Sequence, residues 1–260
     1  MTIIGVVGDC TTTTCVALAS SWPVTDDVVI LEADASGGSL TGWLDTPASP
    51  SLATIVATLG SDGIRPPLDT AMSMTQHTDA GVRFIALPVR SVPARRALAE
   101  ADAVVAALAR TARVVLADCG RVRGTDPVPN ALLAADLHVI VHRQESASAA
   151  ASVVRIDRLV ELIEHLGATG RRTVLALVGT SPFHPSDIAQ YVDDAVPGSI
   201  AECVHIADDP LAAATLAGRT GVSAKRLLRL PLMRTASTAV ATIRGLVPSP
   251  VPDLQDQRPS

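Results

Sequence analysis

Four consecutive threonines, Thr11–Thr14, lie between two apolar segments near the start of the chain. The preceding residues align with the phosphate-binding pattern G-x-x-x-x-G-K-[ST], with Gly5 and Cys10 at the glycine positions, Thr11 at the lysine and Thr12 at the metal-binding hydroxyl. Backbone N–H groups at a helix N-terminus can hold an anion there. The candidate phosphate-binding residues are Gly5, Gly8, Asp9, Cys10, Thr11, Thr12, Thr13 and Thr14.

The lysine of this pattern is missing, and Lys225 is the only lysine in the chain. A threonine hydroxyl donates a hydrogen bond to a phosphate but adds no charge. The same residues also fit an ordinary β–α turn with threonine caps, which is the alternative interpretation.

Acidic side chains follow two other apolar segments. Val28 to Leu31 predict a second strand that delivers Glu32 and Asp34 at its carboxyl end, and the segment VVLAD predicts a strand that ends in Asp118. Ligands of open α/β sheets bind at the carboxyl ends of the strands, and an aspartate there can hold Mg²⁺. Glu32, Asp34 and Asp118 are therefore candidate catalytic residues, with a solvated turn as the alternative for the first two.

Composition, net charge and cysteine spacing limit the classes of protein to which the chain can belong. Hydrophobic residues make up 48% of the 260 and aromatic residues 2%, which suits a parallel sheet covered by helices on both faces. A net charge of -5 argues against a surface built throughout for nucleic acid. The four cysteines lack zinc-site spacing and disulfide density, and we expect them to be reduced and buried. No signal peptide or membrane span is predicted, so we expect a cytoplasmic protein.

Strand and helix patterns alternate along the chain and predict a doubly wound, mostly parallel α/β sheet in one domain, residues 1–247. Further strands are expected at 82–87 and 137–141, a strand and loop at 173–182, and a strand that ends in acids at 199–209. Helices are expected at 47–59, 93–112, 146–166, 184–192 and from 210 to about 247. We expect an exposed excursion over 60–80, with His77 as a surface residue, and a disordered proline-rich tail over 248–260.

Several stretches, in this order and at these separations, resemble the ParA/MinD group of deviant Walker-A P-loop ATPases, of the SIMIBI class. They are VVGDCTTTTCVALA, VVILEADASGGSL, VVLADCG and AADLHVIV. The group includes partition proteins, division-site regulators and the CpaE/TadZ-like proteins that place pili and secretion machines. The resemblance extends from Thr2 to about Leu246.

The resemblance implies a P-loop from Gly5 to Thr12 that binds ATP and Mg²⁺, with Thr12 or Thr13 and Asp118 as the metal ligands. It implies that Glu32 orients the attacking water, with Asp34 as the neighbouring acid. The motif K-G-G-x-G-K-T-T has two lysines, whereas this chain has Val6 and Thr11 at those positions. An alternative alignment shortens the loop.

We therefore expect a degenerate member that serves as a positioning or scaffold partner in partition, division or pilus placement, with weak or absent ATP hydrolysis. Two alternatives stay open: an active Mg²⁺-ATPase with a threonine-rich loop, and a DNA-binding partition module. Arg121 or Arg123 could supply part of the missing charge, or lie in a solvated loop. DNA would contact the basic residues Arg219, Lys225, Arg226, Arg229 and Arg234. The resemblance also implies a protein partner and a homodimer, and we expect no membrane attachment.

Overall fold

The computed structural model describes residues 1–61, 70–123, 128–144 and 148–247. Strands and helices alternate through these residues. The strands are β1 (Thr2–Gly8), β2 (Val28–Glu32), β3 (Gln76–His77), β4 (Arg83–Ile85), β5 (Val114–Asp118), β6 (Leu137–Arg143), β7 (Arg172–Val178) and β8 (Glu202–Ile206). They form a sheet in the order β3-β4-β2-β5-β1-β6-β7-β8, parallel except for the edge strand β3.

The helices connect these strands. They are α1 (Thr11–Ser21), α2 (Leu40–Leu44), α3 (Leu52–Ser61), α4 (Thr70–Ser73), α5 (Ser91–Ala99), α6 (Asp102–Thr111), α7 (Asn130–Leu133), α8 (Ala149–Gly167), α9 (Pro185–Ala195), α10 (Pro210–Leu216), α11 (Ala224–Leu227) and α12 (Pro231–Leu246). No helix in the described part of the chain is both long and apolar enough to cross a membrane.

Helices cover both faces of the sheet. The apolar residues of α1, α10 and α12 pack on one face, where Ile4 and Val6 of β1 point. Helices α8 and α9 pack against Val7 and Ile140 on the opposite face, and α3, α5 and α6 continue that layer over β2 and β4. Burial on both sides explains why the central strands are almost continuously apolar. The doubly wound, mostly parallel sheet predicted from the sequence is confirmed.

Strand β1 lies at the centre, between β5 and β6. The chain first places β2, β3 and β4 on one side of β1 and then returns to insert β5 between β1 and β2. It finally crosses to the other side of β1, where β6, β7 and β8 lie. The carboxyl ends of β1, β5 and β6 therefore meet where the winding reverses, which is where open α/β sheets bind ligands. This position brings together the residues at the end of β1 and Asp118.

Three predicted elements differ from the structure. The single helix expected over 93–112 is two, α5 and α6, because Glu100 leaves helical geometry at φ -105 and ψ 9. Each half then buries its own apolar side, with Ala97 in α5 and Leu108 in α6. The continuous helix expected after residue 210 is three helices, α10, α11 and α12. The described part of the expected excursion, 70–80, contains α4 and β3 and buries Ala71 and Thr75, since β3 pairs with β4.

Other boundaries shift by a few residues. The helix expected over 47–59 begins at Leu52, and the helix expected from Ser146 begins at Ala149. The tail over 248–260 and residues 62–69 lie outside the described residues, so the expectation of a disordered tail stays a prediction. His77 is exposed, as expected, although it lies in β3.

Gly5 tests the packing of the central strand. A Cβ atom there would lie 2.4 Å from Leu132 Cδ2 and 3.3 Å from Ala135 Cβ, both buried. We expect Gly5→Ala to lower the free energy of unfolding by about 1–3 kcal/mol, because the extra methyl group overpacks this contact. Gly245→Ala is the matched control, since a Cβ in that part of α12 meets nothing within 4 Å. Alanine there should be neutral or stabilising by up to about 1 kcal/mol. Urea denaturation would measure both, and an unchanged stability for Gly5→Ala would contradict the packing argument.

Candidate functional site

A two-residue turn joins β1 to α1. The strand continues to Gly8 and the helix begins at Thr11, so only Asp9 and Cys10 connect them. The Gly8 amide donates to the Gly120 carbonyl at 2.9 Å, and the Asp9 amide donates to the Val141 carbonyl at 2.8 Å. The turn is therefore tied to the ends of both neighbouring strands, and these two amides are not available to a phosphate.

Backbone conformation explains the residue types of the turn. Gly8 has φ 118, and a Cβ atom there would lie 2.1 Å from the Val141 carbonyl oxygen, so only glycine fits. Cys10 adopts the left-handed conformation, at φ 52. The segment from Gly5 to Thr12, expected as one loop, is a strand end, a two-residue turn and the start of a helix. Gly5 lies inside β1, where it packs against Leu132 rather than facing the turn.

The threonines divide by helical position. Thr11 and Thr14 are buried, whereas Thr12 and Thr13 are partly exposed. Thr12 Oγ1 donates to Asp118 Oδ2 at 2.7 Å, and the Thr11 side chain also hydrogen-bonds Asp118. The Thr14 amide closes the first turn on the Cys10 carbonyl at 3.0 Å. Thr12 and Asp118 are thus brought together, as expected from the strand ends in the sequence.

Asp118 is 2% exposed at the end of β5. Burial raises the pKa of its carboxyl group, while hydrogen bonds from the Thr11 and Thr12 side chains and the Gly120 amide oppose the shift. These donors replace part of the hydration that the carboxylate loses, which makes its burial tolerable.

Glu32, 1% exposed, is surrounded by backbone donors. Its Oε1 accepts the amides of Ser39 and Leu40, and its Oε2 accepts the amide of Leu87 at 2.8 Å. Burial raises the pKa of this carboxyl group, and the three amides lower it in opposition. Both oxygens are therefore engaged in holding the turn after β2 against the end of β4.

Asp34 lies beside Asp118 at the same edge. Its Oδ1 accepts the Ser36 amide at 2.8 Å, which forms a tight turn after β2. Its Oδ2 contacts the backbone of Gly120, where a Cβ atom would lie only 2.0 Å away. Asp34 is half-buried, and its side chain leaves room only for a glycine at position 120.

Arginines converge on Asp9 from three other parts of the chain. Arg121 Nη2, after β5, lies 2.9 Å from Asp9 Oδ1, and Arg155 Nη2, in α8, lies 2.5 Å from Asp9 Oδ2. The backbone amide of Arg143, at the end of β6, also donates to Oδ2. The Arg143 side chain binds Asp208 at 2.7 Å and also hydrogen-bonds the side chain of Cys10 in the turn.

The sequence reading named Arg121 but missed Arg143 and Arg155. The sequence indicated Arg143 and Arg155 only weakly, because single arginines after a strand and in a helix are common on protein surfaces. An arginine immediately after a predicted central strand, as at Arg143, would have been the available clue.

The cysteines and the basic cluster have simpler environments. Cys15 and Cys119 are buried, as expected, whereas Cys203 is only half-buried and Cys10 is exposed in the turn; all four are free. The five basic residues predicted to bind DNA are exposed in or near α10, α11 and α12. The exposure does not decide between a DNA-binding surface and a solvated face, so DNA binding stays a prediction.

No protein-family model matches the chain, and neither does any curated protein. Solved structures do match. A ParA family ATPase from Chlorobium tepidum superposes with a TM-score of 0.65 and 16% identity, over 92% of this chain and 98% of that one. The MinC:MinD complex of Aquifex aeolicus gives a TM-score of 0.61 and 14% identity, over 96% and 98%. The chain has the fold of the ParA and MinD ATPases. A McdA–ATP complex from Cyanothece also matches, with a TM-score of 0.56, 14% identity and coverages of 96% and 99%.

The residues at the site fit one part of a Mg²⁺-nucleotide complex and not the other. The Thr12 hydroxyl and the Asp118 carboxylate are the ligand types that hold Mg²⁺ in phosphate-transferring enzymes. Mg²⁺ in such sites also needs the phosphates themselves as ligands. The two-residue turn offers no wide loop to surround a triphosphate, and no lysine is near it. Among the described residues, no cluster of three or more histidine, cysteine or acidic side chains could hold a metal instead.

His142 lies in β6 beside this turn and is 4% exposed. Burial lowers the pKa of its imidazole to about 4, with Asp9 raising it and Arg155 lowering it further. Its Nε2 atom has no hydrogen-bond partner among the residues that the structure describes. The ring is therefore neutral at physiological pH.

The substitution Glu32→Gln tests how much the hydrogen bonds of the Glu32 carboxylate contribute to stability. One oxygen becomes an NH₂ group that faces a backbone N–H, so we expect the free energy of unfolding to fall by about 2–3 kcal/mol. Asp34→Asn is the control, because its turn with Ser36 survives the substitution and the side chain is half-buried. Equal losses in the two variants, measured by urea denaturation, would show that the three amides add little.

His142 predicts a pH dependence of stability. An unfolded histidine binds its proton near pH 6.5 and folded His142 only near pH 4, so the unfolded state binds more protons between these values. The free energy of unfolding should therefore fall as the pH is lowered from 6.5 to 4, by up to about 3 kcal/mol from this group. Denaturation at several pH values, with His142→Gln for comparison, isolates the contribution, since the raised pKa values of Glu32 and Asp118 act in both proteins. The same slope in both proteins would contradict it.

Proposed function

We propose that this chain is a degenerate ParA/MinD-like protein that acts through protein contacts as a positioning or scaffold partner and hydrolyses ATP weakly or not at all. The observation that carries the proposal is the two-residue turn between β1 and α1, whose Gly8 and Asp9 amides are both bonded to neighbouring strands. A P-loop works by surrounding phosphates with free backbone amides, and this turn lacks two of them.

Charge supports the same conclusion. The position of the catalytic lysine carries Thr11, whose side chain is buried against Asp118. Losing one charge-assisted contact to phosphate costs about 1.5–3 kcal/mol, or about ten- to a hundredfold in affinity. The arginines around the turn are already paired, Arg121 and Arg155 with the Asp9 carboxylate and Arg143 with Asp208. Compensation by Arg121 would first require that ion pair to separate.

The candidate catalytic acids are also occupied. Glu32 has both oxygens on backbone amides, and Asp34 accepts the Ser36 amide through Oδ1 and holds the turn after β2. We infer that these two side chains fix the sheet edge. Asp118 keeps its contact with Thr12, and this retained pair is the observation that favours the alternative of an active Mg²⁺-ATPase.

We infer that a protein with this fold and no phosphate-binding loop acts by binding a protein partner. More than nine-tenths of the chain matches the fold of proteins described as a ParA family ATPase and as a MinC:MinD complex. Keeping the fold without a phosphate cradle leaves the surface available for a protein partner. Homodimerisation and a cytoplasmic location belong to the same proposal, and placement of chromosomes, a division site or a pilus is the class of process that it would serve.

Calorimetric titration with ATP, with and without Mg²⁺, tests the proposal. Because the turn cannot surround the phosphates and has no lysine, we expect no saturable Mg²⁺-dependent binding below millimolar ATP. We also expect the same residual phosphate release from the native protein and from Asp118→Asn. Asp118→Asn is the matched control, since it keeps the shape of the side chain and removes the carboxylate charge that would hold Mg²⁺.

Micromolar binding that needs Mg²⁺ and is lost in Asp118→Asn would overturn the proposal and establish the active ATPase. Circular dichroism of both proteins would confirm that the substitution leaves the fold intact, because Asp118 is buried among hydrogen-bond donors. Thr12→Val provides a second variant, since it removes only the hydroxyl that contacts Asp118.

A further inference from the structure

Two helices on one face of the sheet present exposed apolar side chains. Val153 and Val154 in α8 and Tyr191 in α9 are 46%, 51% and 49% exposed. The Tyr191 hydroxyl donates to Asp157 Oδ1 at 2.9 Å, and Asp157 lies one helical turn after the two valines, so the three side chains belong to one surface. Apolar side chains that are grouped and exposed mark sites where another molecule binds.

Acidic side chains lie around this group. Along each helix the spacing i, i+4, i+7 places exposed acids on the side of the Asp157–Tyr191 contact; they are Asp157, Glu161 and Glu164 in α8, and Asp187 and Asp194, on either side of Tyr191, in α9. No ion pair between described residues includes any of these five acids. With the neighbouring Arg158, they leave a net charge of about -4 at neutral pH. We call the five acids and the three apolar residues the acidic surface.

A surface of opposite charge lies near the end of the described chain. Residues 210–247 contain no aspartate or glutamate. Leu228 is 61% exposed there. Exposed basic residues lie around it in α11, in the link to α12 and in the first turn of α12: Lys225, Arg226, Arg229 and Arg234. These four are likewise outside the ion pairs that the described residues form with one another. We call them, together with Leu228, the basic surface.

The two surfaces lie on opposite faces of the sheet. Helices α8 and α9 pack against Val7 and Ile140. Helices α10 and α12 pack on the face of Ile4 and Val6, and Leu227 of α11 belongs to the same core. A single copy cannot join its own two surfaces, because the sheet lies between them. Two copies can join them when the acidic surface of one meets the basic surface of the next. Each such pair keeps one free surface of each kind, so the assembly can grow beyond two copies.

Charge and apolar character match between the two surfaces. The acidic surface carries about -4 and the basic surface about +4 at neutral pH. Opposite charges steer two proteins together and set their register, while an apolar centre adds affinity as it leaves water. The whole chain has a net charge of -5, which makes copies repel each other in general. A contact between copies therefore has to come from local complementarity, which these two surfaces provide.

We propose that the acidic surface of one copy binds the basic surface of the next, so that the protein assembles head to tail. Val153, Val154 and Tyr191 cover Leu228 at the centre of this contact, and the acidic and basic side chains pair around it. The contact goes beyond the proposed scaffold function and uses neither the β1–α1 turn nor a nucleotide. Its failure would therefore leave that function standing, and failure of that function would leave this contact standing.

Sedimentation equilibrium of the full chain without nucleotide tests the assembly. At low salt the average mass should rise with protein concentration and pass that of a dimer, because a head-to-tail contact leaves a free surface at each end. In about 1 M salt, where the Debye length falls to about 3 Å, the association should weaken about tenfold or more. A protein that stays monomeric up to about 1 mM, or that stops at a dimer, would overturn the proposal.

Charge reversal on α8 identifies the acidic surface. The variant Glu161→Arg/Glu164→Arg changes two exposed positions and should weaken association about tenfold or more. This loss is expected although the variant is less negative overall, which reduces the general repulsion between copies. Unchanged or stronger association would therefore show that overall charge, and not the acidic surface, governs the contact, and the proposal would be wrong.

Charge reversal near α11 identifies the basic surface. The variant Arg226→Glu/Arg229→Glu should lose association to a similar extent. Arg95→Glu/Arg110→Glu is the matched control, since it makes the same charge change at exposed positions of α5 and α6. Equal losses in these two variants would contradict the proposal. Nucleic acid is the alternative occupant of the basic surface. If Arg226→Glu/Arg229→Glu abolishes binding of a short DNA duplex and leaves self-association intact, this surface binds DNA and the proposal fails.

A mixture of the two surface variants tests the pairing itself. The native basic surface of Glu161→Arg/Glu164→Arg meets the native acidic surface of Arg226→Glu/Arg229→Glu, and the two reversed surfaces are again opposite in charge. An equimolar mixture should therefore recover the association that each variant lost alone. Misfolded variants would not recover it, so the mixture also separates loss of contact from loss of fold. No recovery, with both variants folded by circular dichroism, would overturn the proposal.

Discussion

The end of β1 is held by hydrogen bonds to both of its neighbours, and the rest of the site follows from this constraint. The Gly8 amide donates to the Gly120 carbonyl, two residues after β5, and the Asp9 amide donates to the Val141 carbonyl in β6. The strand therefore stays in the sheet almost up to the helix. A backbone pinned on both sides has only Asp9 and Cys10 left in which to reverse into α1. The left-handed Cys10 and the positive φ of Gly8 are the local cost of that reversal.

The same constraint sorts the charged groups onto two sides of the turn. Helix α1 begins against Asp118, where the Thr11 and Thr12 hydroxyls compensate a buried carboxylate. The Asp9 side chain points to the other side, toward β6 and α8, where it meets Arg121 and Arg155. The Asp118 carboxylate therefore lies on one side of β1, and the Asp9 carboxylate with its two arginines lies on the other. Each buried charge has donors of its own, as burial requires.

The sequence was sufficient for the alternation of strands and helices and for the mostly parallel direction of the strands. Period, length and turn residues are local signals, and the acids Glu32 and Asp118 lie at strand ends as the pattern predicted. The sequence did not predict the two-residue turn between β1 and α1. Whether β1 stops at Val7 or continues to Gly8 depends on pairing with Gly120 and Val141, which lie far along the chain. Hydrophobic runs do not specify such long-range pairing at a strand end. The break between α5 and α6 has the same origin, since the apolar pattern continues through Glu100 and only packing divides it.

The contacts of Asp9 could not be read from the sequence either. Its partners lie 112, 134 and 146 residues away, and no local pattern links an aspartate after a strand to arginines at those distances. The sheet brings them together only because β5 and β6 both flank β1.

The contacts of Asp9 also do not depend on the length of the turn. In a P-loop the turn itself supplies both amides and a lysine, so shortening it removes the cradle and the charge together. The arginines here come instead from the loop after β5, from β6 and from α8, and those elements are fixed by the sheet and its core. Their convergence therefore does not depend on the length of the turn. The sheet therefore fixes the groups around Asp9, and the turn fixes only those above α1, Thr12 and Asp118.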